Sequence, residues 1–158
     1  MMTMCPSCFE LYSDLWSKLC CNCGHKSISL SVELINLVQL FINRGFKVIS
    51  ASCSTYVDQE ASGKNTHIRI DFGANYPKAI FGELPPDWII SEFNLTKDNK
   101  ILQPPLTMLS CICRHPPSES DMTSIEFEKS LTISNLEIIV EDKDPQASRA
   151  ILTLLELM

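Results

Sequence analysis

"CPSCFELYSDLWSKLCCNCGH", residues 5 to 25, holds five of the eight cysteines of this 158-residue chain. Thiolates at that density and spacing point first to metal binding. Cys5 and Cys8 form a CxxC with Pro6 inside it, a spacing that lets two thiolates grip one ion from a single tight turn. Cys20, Cys21 and Cys23 compete for the remaining positions. Pairing Cys20 with Cys23 restores CxxC, leaves Cys21 spare and puts Gly24 where a metal knuckle needs a residue tolerant of positive φ. His25 is a reserve ligand. In a reducing compartment, paired CxxC motifs mean metal more often than disulfide. Iron is the other metal suited to four thiolates.

The pattern CxxC, eleven residues, CxxCG resembles the zinc-ribbon family, in which two knuckles at the ends of short β-hairpins hold one tetrahedral zinc. The resemblance covers residues 4 to 27 and implies Cys5, Cys8, Cys20 and Cys23 as the ligands of a structural Zn2+. Such a closed site offers no position to water or substrate and serves to fold its segment. The strand "SCSTY" and the helix before it are similar to the SCSG-bearing segment of the wybutosine-synthesis, TYW-three-like proteins, which modify transfer RNA. They also resemble small phage and Firmicute proteins that join a zinc ribbon to such a strand. This chain has Thr55 and Tyr56 where that pattern has a glycine and a basic residue.

A second constellation lies in "CICRH". Cys111, Cys113 and His115 alternate, so in a strand all three project to one face. With Cys53 or His67 from neighbouring strands they form a possible second metal or thiol site, against the common role of cysteine as a small core hydrophobe. A catalytic thiol also needs a base oriented by a third group, and no local motif supplies that geometry. A related enzyme or RNA-modification accessory would work around Cys53, His67 and Asp71.

The elements that must position these groups are readable from periodicity. Residues 32 to 44 predict a helix with Leu34, Ile35, Leu37, Val38, Phe41 and Ile42 on one face, Ser31 as its cap and Gly45 at its end. "FKVISASCSTY" predicts a strand with Phe46, Val48, Ser50 and Ser52 on one face and Ile49, Ala51 and Cys53 on the other. "HIRIDFG" returns, with Ile68, Ile70 and Phe72 inward and His67, Arg69 and Asp71 outward. One short helical turn fits "YPKAIFGELPPDW". "WIISEFNLTKDNKILQ" predicts two strands joined near Lys97 to Lys100, and "LTMLSCICRH" another. A helix opening on a Thr123/Glu126 capping box follows. The last helix is capped by Asp144 with Pro145 at its first position, and repeats Ala150, Ile151, Leu154, Leu155 and Met158. The expected fold is α+β: a zinc ribbon over 1–28, then over 29–158 a mixed or antiparallel sheet domain with one helix before the sheet and others at the C-terminal end.

Charge sets the class of partner. The net charge is −6, with hydrophobic residues at 45% and charged residues at 20%, as in globular proteins. Residues 81–158 alone hold 13 acidic and 6 basic groups. Phosphate recognition needs clustered Lys and Arg, and only Lys18, Lys26, Arg44 and Lys47 could gather locally. No secretory leader or bilayer-length apolar run is visible, which places the chain in the cytoplasm with no membrane partner. The expected function is a non-catalytic, zinc-binding protein–protein interaction protein, of phage or mobile-element type, acting on a basic host surface. The alternatives are the RNA-modification reading and a nucleic-acid-binding ribbon.

Overall fold

A computed structural model describes residues 1–13, 23–60, 62–101 and 104–157, with backbone alone at 97 and 101. Cys20 and Cys21 lie outside the described residues, as do Lys18 and Met158.

The chain is α+β. Seven strands form one sheet: β1 (Met2–Met4), β2 (Leu11–Ser13), β3 (Ile28–Leu30), β4 (Val48–Val57), β5 (Lys64–Phe72), β6 (Trp88–Phe93) and β9 (Leu106–His115). Their spatial order is β2-β1-β3-β4-β5-β9-β6. Only β3 and β4 run parallel, joined through a 3-10 turn at Val32–Leu34 and helix α1 (Ile35–Asn43). The antiparallel remainder follows from its short connections. The proposed boundary at 28/29 falls inside β3, which pairs with β1 on one side and β4 on the other. The N-terminal segment therefore extends the main sheet.

Helix α1 buries Leu37, Val38 and Phe41, with Leu34 buried just ahead of it, as the 3.6-residue period requires. Ser31 does not cap it: the Ser31 hydroxyl instead accepts from the Cys53 amide at 2.9 Å, tying the turn to β4. Gly45 ends the helical turn at φ 92. Phe41, Phe46, Phe72, Tyr76 and Phe81 form the aromatic centre, with T-shaped and tilted contacts between Phe41, Phe46 and Phe72 at centroid distances of 5.2 to 5.7 Å.

The strand β4 corrects one expectation. A bulge between Val48 and Ser50 inserts a residue, so Val48 and Ala51 share the buried face although their numbers have opposite parity. Cys53 follows Ala51 to that face. The face assignment of β5 holds: Ile68, Ile70 and Phe72 are fully buried.

Between the strands, the expected helical turn is a 3-10 turn at Lys78–Phe81. The pair joined near Lys97 to Lys100 is a separate two-residue hairpin, β7 (Thr96–Lys97) with β8 (Lys100–Ile101). Asp98 and Asn99 both adopt positive φ there, the conformation that tight hairpins demand. Strand β6 pairs with β9 and not with this hairpin's returning arm.

Helix α2 (Met122–Glu141) is capped by Asp121, which accepts from the Ser124 amide at 3.1 Å, rather than by Thr123 with Glu126. Its packed face carries Ile125, Lys129, Ile133, Leu136 and Val140. Helix α3 (Pro145–Glu156) starts as expected, with Asp144 accepting from Ala147 at 2.8 Å. Its packed face differs from the expected one: Leu152 is buried, whereas Ile151 and Leu154 are exposed. The helix docks through Arg149 and Leu152 onto the Gly45 turn, which leaves the Ile151/Leu154 side outward. No helix among the described residues is long and apolar enough to cross a membrane.

Candidate metal centre

The first CxxC sits at the tip of the β1–β2 hairpin. Cys5 follows the last residue of β1, and its amide donates to the Glu10 carbonyl at 3.0 Å while Phe9 donates to the Cys5 carbonyl at 3.0 Å. Closing so short a turn forces Phe9 to φ 61. Gly24 is its counterpart at φ 70, so each residue directly after Cys8 and Cys23 is left-handed. Gly24 takes that conformation without steric cost, and Phe9 does not.

This geometry gathers four ligating side chains: Cys5, Cys8, Cys23 and His25 lie close together and could hold a metal. The Cys5 and Cys23 sulfurs are 3.1 Å apart, and those of Cys23 and Cys8 3.8 Å. Zinc–sulfur bonds of about 2.3 Å at tetrahedral angles place sulfurs about 3.8 Å apart. The Cys8–Cys23 pair already stands at that edge length, and an ion would open the closer pair. Ligand atoms of Cys5, Cys23 and His25 all fall within 4.8 Å of one another. Cys5 is buried, while Cys8, Cys23 and His25 are exposed. Burial pushes the Cys5 thiol up, but amide donation from Cys8 and Ser7 and the adjoining Cys23 thiol outweigh it, and the net shift is downward. The Ser7 amide lies 3.4 Å from the Cys5 sulfur. Donors aimed at sulfur favour the thiolate, the form that binds metal.

The second constellation is brought together only in part. Cys111, Cys113 and His115 do share the buried face of β9. Cys53 and Thr55 reach the same face from β4, since they pair with Ile68 and the fully buried Thr66. His67 and Asp71 project from the opposite face. Among the described residues the only metal-sized group is the one at Cys5, Cys23 and His25.

What the inward residues form is a hydrogen-bonded network. The Thr55 and Thr66 hydroxyls are 2.8 Å apart, Thr66 Oγ1 is 2.8 Å from His115 Nε2, and His115 Nδ1 is 3.3 Å from Glu128 Oε2. Cys113 donates to Thr132 at 3.4 Å. The thiol of Cys111 shares a hydrogen bond with Cys113, which moves Cys113 down to about 7 and Cys111 up. Burial pushes Cys53 up to about 11. A thiol that far above neutrality is a packing group and not a nucleophile.

Two buried cations were not anticipated. Arg44 donates to the carbonyls of Leu40, Glu141 and Lys143 at 3.0 to 3.2 Å. That interior position removes it from any basic surface patch. Lys129 reaches Glu126 at 2.7 Å and Glu33 at 3.4 Å. The visible signal for Lys129 was its place four residues from Ile125 and from Ile133, on an apolar helical stripe.

Comparison with known proteins found no matching family model, no matching curated protein and no matching solved structure.

Proposed function

We propose that this chain is a non-catalytic binding protein whose N-terminal edge is clipped by one zinc ion. Cys5, Cys8 and Cys23 hold it, with Cys20 or His25 as the fourth ligand. The convergence of these thiols and the imidazole carries the proposal. Four protein ligands close the coordination sphere, so the ion's role is structural. Thiolate and imidazole donors with tetrahedral spacing favour zinc over hard cations. The same donors make the ribbon resemblance the working description of the segment.

An interaction role fits the surface of α2 and α3. Phe127 (71% exposed), Leu131 and Ile138 recur at helical spacing on the outer side of α2, and Ile151 and Leu154 on that of α3, with Leu157 directly after it. Single exposed apolar residues are ordinary, whereas stripes of them mark contact sites. The C-terminal half that carries them is strongly acidic, so the fitting partner is a protein surface with an apolar centre and a basic rim. The RNA-modification alternative requires Cys53 beside His67 and Asp71, and these point to opposite faces of the sheet. The nucleic-acid-binding alternative loses Arg44 to the interior.

Metal analysis of purified protein tests the reading. One zinc per chain is expected, lost in Cys5→Ser/Cys8→Ser. If His25→Ala keeps the zinc and Cys20→Ser loses it, the ribbon ligand set holds; the reverse assigns His25. Protein that binds no zinc, with all thiols titratable in the native state, refutes the clip.

A further inference from the structure

A cavity of about 430 Å3 lies between the first knuckle, the end of α1 and the start of β4. Its walls include Ile28, Ile42, Phe46, Val48 and Ile49, and Pro6 of the CxxC turn borders it. A volume of this size falls within the roughly 300–1,000 Å3 range of small-molecule sites. Three charged groups line it: Lys26, Lys47 and Glu156. None of them makes an ion pair with a described residue. The rim thus carries one net positive charge on a chain of net charge −6.

A fourth polar group is informative for a different reason. Ser27 also lines the cavity, and its hydroxyl is buried with no hydrogen-bond partner among the described residues. Buried hydroxyls are nearly always partnered, because an unsatisfied one forfeits its hydration for nothing. A serine hydroxyl can donate, and beside two ammonium groups with no ion pair to a described residue a ligand acceptor would complete it. A carboxylate supplies that acceptor and the matching charge together, and the walls call for a hydrocarbon body behind it.

We infer that this cavity is a binding site for a small amphipathic carboxylate, its apolar body against Ile28, Ile42, Phe46 and Val48 and its carboxylate on Lys26, Lys47 and the Ser27 hydroxyl. Glu156 faces the same rim and selects against a second negative charge, so the fitting ligand is a monocarboxylate and not a dicarboxylate. The site shares Pro6 with the metal-binding turn and Lys26 adjoins His25. Ligand and metal therefore stabilise one segment, and each should tighten the other by the same factor. The cavity does not require the metal proposal, because its apolar walls belong to α1, β3 and β4.

Octanoate, octanol, octylamine and suberate are the probes, added to the full chain as purified and followed by two-dimensional NMR and calorimetry. Octanoate is expected to bind with shifts centred on Ser27, Ile42 and Phe46. Octanol and octylamine should bind at least fivefold more weakly, and suberate should fall below octanoate. Lys47→Met should weaken octanoate about three- to tenfold while leaving octanol unchanged. Ile42→Trp, which fills the cavity from α1, should abolish binding of both. Metal content and urea midpoint establish that each variant is folded. Octylamine binding as tightly as octanoate overturns the charge assignment. Binding undiminished in folded Ile42→Trp, or no binding of any probe to the folded protein, overturns the site. Neither result bears on zinc stoichiometry, so the two proposals fail separately.

Discussion

Replacing Arg44 with methionine tests the most consequential interior contact that sequence did not foretell. Its guanidinium is buried at the end of α1 and donates to Lys143 and Glu141 at 3.0 Å and to Leu40 at 3.2 Å. Two of those carbonyls lie where α2 ends, among groups left without helical partners. The positive charge also faces the negative ends of two helices. Hydrogen bonds to a charged group are worth about 1.5–3 kcal/mol each. Water recovers part of the loss and the methionine stem keeps some packing, so Arg44→Met should cost about 4 kcal/mol. In a chain of this size each kcal/mol moves Tm by about 2–4 °C, which gives a fall of roughly 8–16 °C. Urea unfolding followed by tryptophan fluorescence should show the same loss in midpoint at unchanged slope. Arg44→Lys keeps the charge and fewer donors, and should lie between the two. A loss below about 1 kcal/mol in Arg44→Met would refute the argument that this residue joins the two helix ends.

Three further outcomes follow from named contacts. Thr66→Val strands His115 Nε2 in the interior and should cost about 1–3 kcal/mol in a urea titration, although valine matches threonine in shape. Lys129→Met should change stability by less than about 1 kcal/mol in either direction, because its partners Glu33 and Glu126 are 40% and 53% exposed and regain water when it is removed. The Asp121 carboxyl is held below its ordinary range by the Ser124 hydroxyl and amide. Its contribution is therefore complete above the unfolded value of about 3.9 and is lost as pH falls through the lower folded value. An acid titration of Asp121→Asn should lack that limb.

The legible parts of this fold were those where one period dominates. Leu34, Leu37, Val38 and Phe41 repeat at helical spacing and are buried together, and Ile68, Ile70 and Phe72 alternate and are fully buried. Local patterns failed where a tertiary contact outranked them. The bulge after Val48 exchanges the faces of β4 from Ala51 onward, and no residue type announces it. In α3 two apolar stripes compete, and docking at the Gly45 turn selects Leu152 over Ile151 and Leu154. Asp121 displaced Thr123 as the α2 cap because a carboxylate directly before the helix outranks a hydroxyl already inside it. At the candidate metal site, spacing named Cys5, Cys8, Cys20 and Cys23 with His25 in reserve; Cys5, Cys8, Cys23 and His25 lie close together, and Cys20 lies outside the described residues. Spacing could not bring Cys53 beside His67, because neighbouring strands place side chains by register parity and these two have opposite parity.

What the proposed metal clip would do for a chain with so large a core follows from where these cysteines sit. Strands β1 and β2 are three residues each and end the sheet. Among the described residues before Ile28, only Met4 and Cys5 are buried. The described residues of this segment therefore offer little burial against the entropy of ordering them. A metal joining Cys5 and Cys8 to Cys23 would restrict the chain between them and hold the edge strands in register. The aromatic centre and strands β4, β5 and β9 make no use of it. Chelation should therefore release protection of the β1 and β2 amides in hydrogen exchange while Ile68 and Ile70 stay protected, the signature of local and not global opening. If chelation instead unfolds β5 in the same transition, the metal is a keystone of the whole sheet, and the segment is no separable edge.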